Sequence, residues 1–204
     1  MNETVDRERI AAAVRELLSA IGSDPDSPEL ASTPFRVADA YAEFFAGVGT
    51  DPAGFLSDAV PVGDDTGELV LVRDIALRSM CEHHLLPFRG RAHVAYRPGS
   101  RVVGLSAIPR VIETLAARPQ VQERLGEQIA QTLQDGLAPA GVLVVLEASH
   151  GCVSDRGVRQ ADAVTLTVAS RGVLADAAEQ AAVFALLGGA GPSARTANLA
   201  EAER

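Results

Sequence analysis

The apolar residues of this chain switch in blocks between helical and strand spacing, and the order of the blocks limits what it can fold into. Over residues 5 to 21, Ile10, Ala13, Val14, Leu17, Leu18 and Ile21 recur at helical intervals, and Gly22 ends the run. Thr33-Pro34 reads as an N-cap followed by proline at the first helical position, opening a helix to about Phe45. Residues 46 to 66, rich in Gly, Asp and Pro, read as a long loop. From Glu68 the period becomes two, predicting a strand over 68 to 80 and a second from Arg89 to Arg97, closed at Pro98-Gly99. Ser106 predicts a cap for a helix over 107 to 117, and Val121, Leu125, Ile129 and Leu133 mark one face of a longer helix from about Gln120 to Leu137. Two more strands fit 141 to 149 and 160 to 170. An Ala-rich helix near 176 to 187 precedes a Gly/Pro/Ser tail, 188 to 204, expected to be mobile.

Two helices, two strands, two helices, two strands is an α+β order. Each strand pair is close enough for an antiparallel hairpin, and no βαβ alternation appears. Four strands with no second sheet leave open edges, so the sheet is expected to be completed by other subunits. The 204 residues suffice for one large domain, or a domain with a small helical appendage.

The formal net charge is −9, which argues against a general nucleic-acid binder or a protein of anionic membranes, since both need a basic face. All 18 basic residues are arginine, so a site that needs a cation should show Arg. The N-terminus, MNETVDRERI, is too polar for a secretory signal, and no apolar run approaches the roughly 18 residues of a membrane span. A cytoplasmic protein with reduced thiols is the expectation.

Both cysteines and three of the four histidines fall in two short segments, Met80-Cys81-Glu82-His83-His84 and Ser149-His150-Gly151-Cys152. Each segment lies at the end of a predicted strand, where loops can converge. Cys81 and His84 are spaced to ligate one ion on a tight turn, and Cys152 can close the set from the other hairpin. Two sulfurs and an imidazole suit Zn²⁺, and a fourth position kept for water is the mark of a catalytic zinc, lowering the pKa of that water to about 7. His83 and His150 stand beside the ligands as proton donors and acceptors. Taken singly, each of these residues reads as a core thiol or imidazole, and a spare histidine as fourth ligand would make the zinc structural. His93 lies inside a strand pattern and reads as a structural histidine.

The run SMCEHHLLPFRGRAHVAYRPGSRVVGLSAIPRVIETLAARPQVQERLGEQI, residues 79 to 129, closely resembles the GTP cyclohydrolase I family. So do His150-x-Cys152-x-x-x-Arg156-Gly157 and Thr33-Pro34-Phe35-Arg36. The resemblance covers roughly residues 5 to 175. It implies the tunnelling fold (T-fold), in which antiparallel strands of five subunits form a barrel, two pentamers stack into a decamer, and active sites lie between subunits. The division it implies is an N-terminal helical region (1–66), a catalytic T-fold domain (67–175), and a C-terminal helix with its tail (176–204). The reaction implied turns GTP and water into 7,8-dihydroneopterin triphosphate and formate, a pterin precursor step.

Residue by residue, Cys81, His84 and Cys152 match the zinc ligands of that family. His150, with His83 nearby, matches the groups that handle protons at N7 and the ring oxygen once water attacks C8. Gln122 and Glu123 match the pair that recognises guanine, Ser106 a residue near the ribose and phosphates, and Arg110 and Arg156 cations on the triphosphate. Arg36 matches one that reaches it from a neighbouring subunit. Without the resemblance, Gln122, Glu123 and Arg110 would read as solvated polar surface.

One departure is chemical. The family's Gly-Leu-Ser is ordinarily followed by a lysine that contacts triphosphate, and here the run is Gly104-Leu105-Ser106-Ala107. Asp39 stands where many bacterial members carry lysine, and Asp155 precedes Arg156. One charge-assisted bond to phosphate contributes about 1.5–3 kcal/mol, so its loss weakens binding tenfold or more. Two enzymes therefore fit, a GTP cyclohydrolase I or a paralogue opening a guanine-type purine with less phosphate (nucleoside, monophosphate, free base or 8-oxoguanine). A non-catalytic zinc-stabilised ring is the reading from another class, and a fourth protein ligand would distinguish it.

Overall fold

The computed structural model of the chain describes residues 5–63 and 68–188. The expected mobile tail lies outside the described residues, apart from Gly188. Helix α1 (Arg7–Ala20) begins where the Asp6 carboxylate accepts from the Arg9 N–H at 3.0 Å. Helix α2 (Thr33–Phe44) packs against α1. Its N-cap is Ser32, not Thr33, so Thr33 and Pro34 are the first two helical residues and no side chain caps the end. The segment read as a long loop contains structure: a 3₁₀ helix at Pro52–Leu56, opened by Asp51, and a short strand β1 (Val60–Pro61).

Strands β2 (Val70–Cys81) and β3 (Pro87–Arg97) form an antiparallel hairpin, as their alternation predicts. The register slips between Val72 and Ile75, where Asp74 adopts a left-handed φ of 60° in a bulge. Strand β4 (Arg101–Val102) pairs with β1. Helix α3 (Ala107–Ala116) follows Ser106, whose hydroxyl makes no capping bond and whose backbone is already helical. Strand β5 (Pro119–Gln120) runs parallel to the end of β2, so the next helix, α4 (Gln122–Leu137), starts two residues later than its apolar pattern suggests.

Strand β6 (Gly141–His150) pairs with β3 along its whole length, from Arg97 opposite Gly141 to Phe88 opposite His150. A short helix α5 (Gly151–Ser154) follows at once. Strand β7 (Thr165–Gly172) starts five residues after its predicted position, because Gly157 and Arg159 at positive φ turn the chain first. Helix α6 (Ala177–Leu186) is capped by Asp176. The five-stranded sheet has the order β5-β2-β3-β6-β7.

Helices α3 and α4 cover one face of this sheet. Ile108, Ile112, Leu125, Ile129 and Leu133 are buried there with Phe88, Val144 and Leu146, each large side chain contributing about 1.5–3 kcal/mol. Val121, expected on that face, stays half-buried in extended backbone just before α4. On the other face, Val183 and Phe184 of α6 pack over Ala95, Leu143 and Val145. Double coverage explains why β6 reads as a continuous apolar run, Val142 to Leu146. The fold brings the end of β2, the start of α4 and the end of β6 to one edge of the sheet. No helix among the described residues is long and apolar enough to cross a membrane.

Candidate metal centre and active site

Cys81 closes β2 and is 6 % exposed. The turn after it is tight: the Cys81 N–H donates to the Leu86 carbonyl at 2.9 Å, and the Leu85 N–H returns to the Cys81 carbonyl at 2.8 Å. Leu85 takes a left-handed φ of 51° to make that closure. The turn puts the His84 Nδ1 3.8 Å from the Cys81 Sγ. Cys152, on α5, arrives from the β6 side, because β3 holds the ends of β2 and β6 in one sheet.

The ligand atoms of Cys81, His84 and Cys152 all lie within 4.8 Å of one another. Atoms bound tetrahedrally to one ion at about 2.0–2.3 Å are roughly 3.5–3.8 Å apart. The spacing therefore suits a single metal ion with little adjustment. Among the described residues the group contains these three side chains and no fourth. Burial pushes the Cys152 thiol up in pKa, as does Cys81 beside it, while Arg156 pulls it down. Two thiolates this close repel unless a cation lies between them, so the donor set favours a metal.

His150 ends β6 directly opposite Phe88, and the rings stack at 4.6 Å with 14° between planes. Its Nε2 is 2.8 Å from Gln122 Oε1. Burial lowers its pKa and the charge of nearby Glu123 opposes that, so the neutral ring is favoured. His83 points outward, 63 % exposed, with Nε2 3.6 Å from the Glu82 carboxylate. His150 is thus fixed by its surroundings, whereas His83 faces solvent.

The expected substrate contacts differ in setting. Glu123 is exposed in the first turn of α4, while Gln122 is 1 % exposed and turned inward onto β6 and β7. Ser106 is exposed at the start of α3. Arg110 lies over the Phe55 ring at 5.9 Å. Arg156 is exposed after α5, and Arg36 is exposed on α2, whose packing partner is α1. Ala107 is only 8 % exposed and belongs to the core. Asp39 pairs with Arg7 at 3.1 Å.

Sequence reasoning passed over three residues that build this centre: Phe88 under the His150 ring, and Glu82 with Arg124. Glu82 and Arg124 both lie in conspicuous motifs, but 42 positions separate them and nothing in either motif reveals the pairing. A cavity of about 1000 Å³ lies elsewhere, between β2, α3 and the end of α2, and includes none of the Cys–His–Cys residues. The chemistry, not the volume, locates the site.

Comparison with known proteins accords with this geometry. A sequence model of the family described as GTP cyclohydrolase I matches residues 10–188. GTP cyclohydrolase 1 of Leifsonia xyli subsp. xyli is 60 % identical over 183 residues, spanning 90 % of this chain and 96 % of that protein. GTP cyclohydrolase 1 of Bacillus subtilis is 51 % identical over 173 residues, spanning 84 % and 90 %. That of Carboxydothermus hydrogenoformans is 50 % identical over 190 residues, spanning 92 % and 98 %.

Proposed function

The chain belongs to the GTP cyclohydrolase I family, and we propose that it hydrolyses the imidazole ring of GTP at C8, releasing formate and forming 7,8-dihydroneopterin triphosphate. The observation that carries this reading is the convergence of Cys81, His84 and Cys152 beside a half-buried, ring-stacked His150. Zn²⁺ is the proposed metal, since two thiolates and an imidazole suit it and three protein ligands leave a place for water. When bound, it supplies a water acidic enough to act as nucleophile near neutral pH.

The chain's own residues do the rest. His150, favoured as the neutral ring, exchanges protons with the purine nitrogen beside the attacked carbon. Glu123 accepts from the guanine ring N–H and exocyclic amine, a pair of donors that adenine lacks. Arg110, Arg156 and Arg36 bind the triphosphate, Ser106 lies near the ribose, and His83 relays protons at the outer side. The region read as catalytic is 67–175, with the N-terminal helices and α6 as flanking parts.

Assembly follows from the sheet. Among the described residues, β5 pairs only with the Met80–Cys81 end of β2, and no other strand pairs with that side of β2 or with the outer side of β7. We take these edges to join neighbouring subunits into a barrel, with a decamer as the family's form. That would bring Arg36 of one subunit to the site of another.

The deciding experiment is a substrate panel. Metal-loaded protein should release formate from GTP and give a fluorescent pterin after oxidation. GTP left intact, with turnover of a dephosphorylated or 8-oxidised guanine compound instead, would overturn the assignment.

A further inference from the structure

Gln122 is the most heavily engaged polar side chain near the site. It occupies the first position of α4 and is 1 % exposed. Its Nε2 lies 3.0 Å from the Leu146 carbonyl, 3.0 Å from the Thr165 carbonyl and 3.1 Å from the Thr167 hydroxyl. Backbone carbonyls only accept, so the end of the amide that faces two of them must be the NH₂ group. The other end is then a carbonyl oxygen, and it sits 2.8 Å from His150 Nε2. That oxygen has no hydrogen to give. The hydrogen in this contact therefore belongs to His150.

We propose that Gln122 is a positioning residue for the reaction: its amide oxygen holds the Nε2–H of His150, which leaves Nδ1 as the nitrogen free to take a proton from the attacking water and pass it to the purine nitrogen. Stacking on Phe88 adds the second constraint. With the ring stacked on Phe88 at 4.6 Å between centroids, a flip about its bond to Cβ would put a carbon where Nε2 meets the amide oxygen. The chain of control runs from β6 and β7 carbonyls, through one amide, to the proton inventory of one imidazole. It also removes Gln122 from direct contact with the guanine, because both ends of its side chain are spent inside the protein.

This inference rests on the reading of His150 as the proton carrier, but its first test does not depend on turnover. Neutron diffraction from deuterium-exchanged, zinc-loaded holoenzyme, at a pH where imidazole is neutral, should show deuterium on His150 Nε2 and none on Nδ1. A deuteron on Nδ1 overturns it. The second test is Gln122→Met, similar in size and without the amide. Its kcat for GTP should fall by about 100-fold or more, within the range that general acid–base groups contribute, while KM stays within about threefold. A raised KM at preserved kcat would make Gln122 a base contact and overturn the proposal. If the variant does not fold, the wild-type neutron map decides alone. Failure of the wild type to turn over GTP would instead sink the proposed function and leave the tautomer assignment standing.

Discussion

The Glu82 carboxylate is held by the Arg124 guanidinium, which ties the turn after β2 to the first turn of α4. Arg124 also donates to the Pro119 carbonyl at 3.2 Å and to Gln120 Oε1 at 3.2 Å, and the Glu82 N–H donates to the Gln120 carbonyl at 2.9 Å. Its hydrogen bond holds the Glu82 carboxyl below the usual carboxylate pKa, so the pair stays charged. Glu82 lies between Cys81 and His84, and a looser turn spreads the two ligands. Arg124→Ala is expected to weaken metal affinity tenfold or more, the scale typical of groups that orient ligands from behind. Both partners are partly exposed, so thermal stability of the metal-loaded protein should change little. Competition against a chelator measures the first; unchanged affinity would show that the Cys81–Leu86 bonds alone set the turn.

Metal removal should act on folding as well as on catalysis. Cys81 and Cys152 come from different hairpins, so an ion bound to both crosslinks them. A ligand at 100 times its dissociation constant stabilises by about 2.7 kcal/mol, so stripping it should lower Tm by several degrees. Elemental analysis should find one zinc per chain, and added zinc should restore both Tm and formate release. A folded, metal-free protein with an unchanged Tm would remove the basis of the hydrolytic reading.

The strands and the long helices were legible because their apolar periods are clean, and Leu125, Ile129 and Leu133 are buried on one face as read. What failed was local chemistry that tertiary contacts override. Ser106 stands at the N-cap of α3 as read but its hydroxyl makes no capping bond, and Thr33 lies inside α2, one residue past the Ser32 N-cap. The Cys–His–Cys group could be seen in advance because its members cluster in sequence, three positions at most from a strand end. The Gln122–His150 and Glu82–Arg124 contacts could not, since each joins segments whose neighbourhood only the sheet order creates. Ala107 was readable as a missing cation but not as a core residue.

Glu123→Ala should raise KM for GTP far more than it lowers kcat. Two charge-assisted bonds to the base, each about 1.5–3 kcal/mol, would be lost, which corresponds to about 100-fold or more in affinity. Glu123 is exposed, so stability should be near wild type and the loss can be read as binding. Equal affinity of the variant and the wild type for guanine nucleotides would undo this role.

Gly90 is a packing test close to the site. A Cβ added there would lie 1.8 Å from the Glu147 carbonyl oxygen, which is backbone of the paired strand β6. Neither strand can yield without disturbing the Phe88–His150 pairing two residues away. Gly90→Ala is therefore expected to destabilise by about 3 kcal/mol and to lower kcat with it. Denaturant unfolding checks the first, and a midpoint equal to the wild type would show that β3 and β6 can separate locally at no expense.

His93 makes acid the condition in which this fold weakens. It is 8 % exposed on β3, and its Nδ1 accepts the N–H of Asp74, the left-handed residue of the β2 bulge, at 3.1 Å. Burial lowers its pKa below 6.5; Asp74 and Glu147 oppose the shift, and Arg91 and Arg73 reinforce it. The unfolded chain therefore binds this proton at a higher pH than the folded one. Stability is fully present above about pH 6.5 and declines as the pH falls through the gap between the two values. Protonation also turns Nδ1 from acceptor to donor, facing the Asp74 N–H. His93→Gln keeps an acceptor for that N–H and removes the titration. Tm measured from about pH 7 to 5 should fall more steeply for the wild type than for the variant. Parallel profiles would assign the acid sensitivity to other groups.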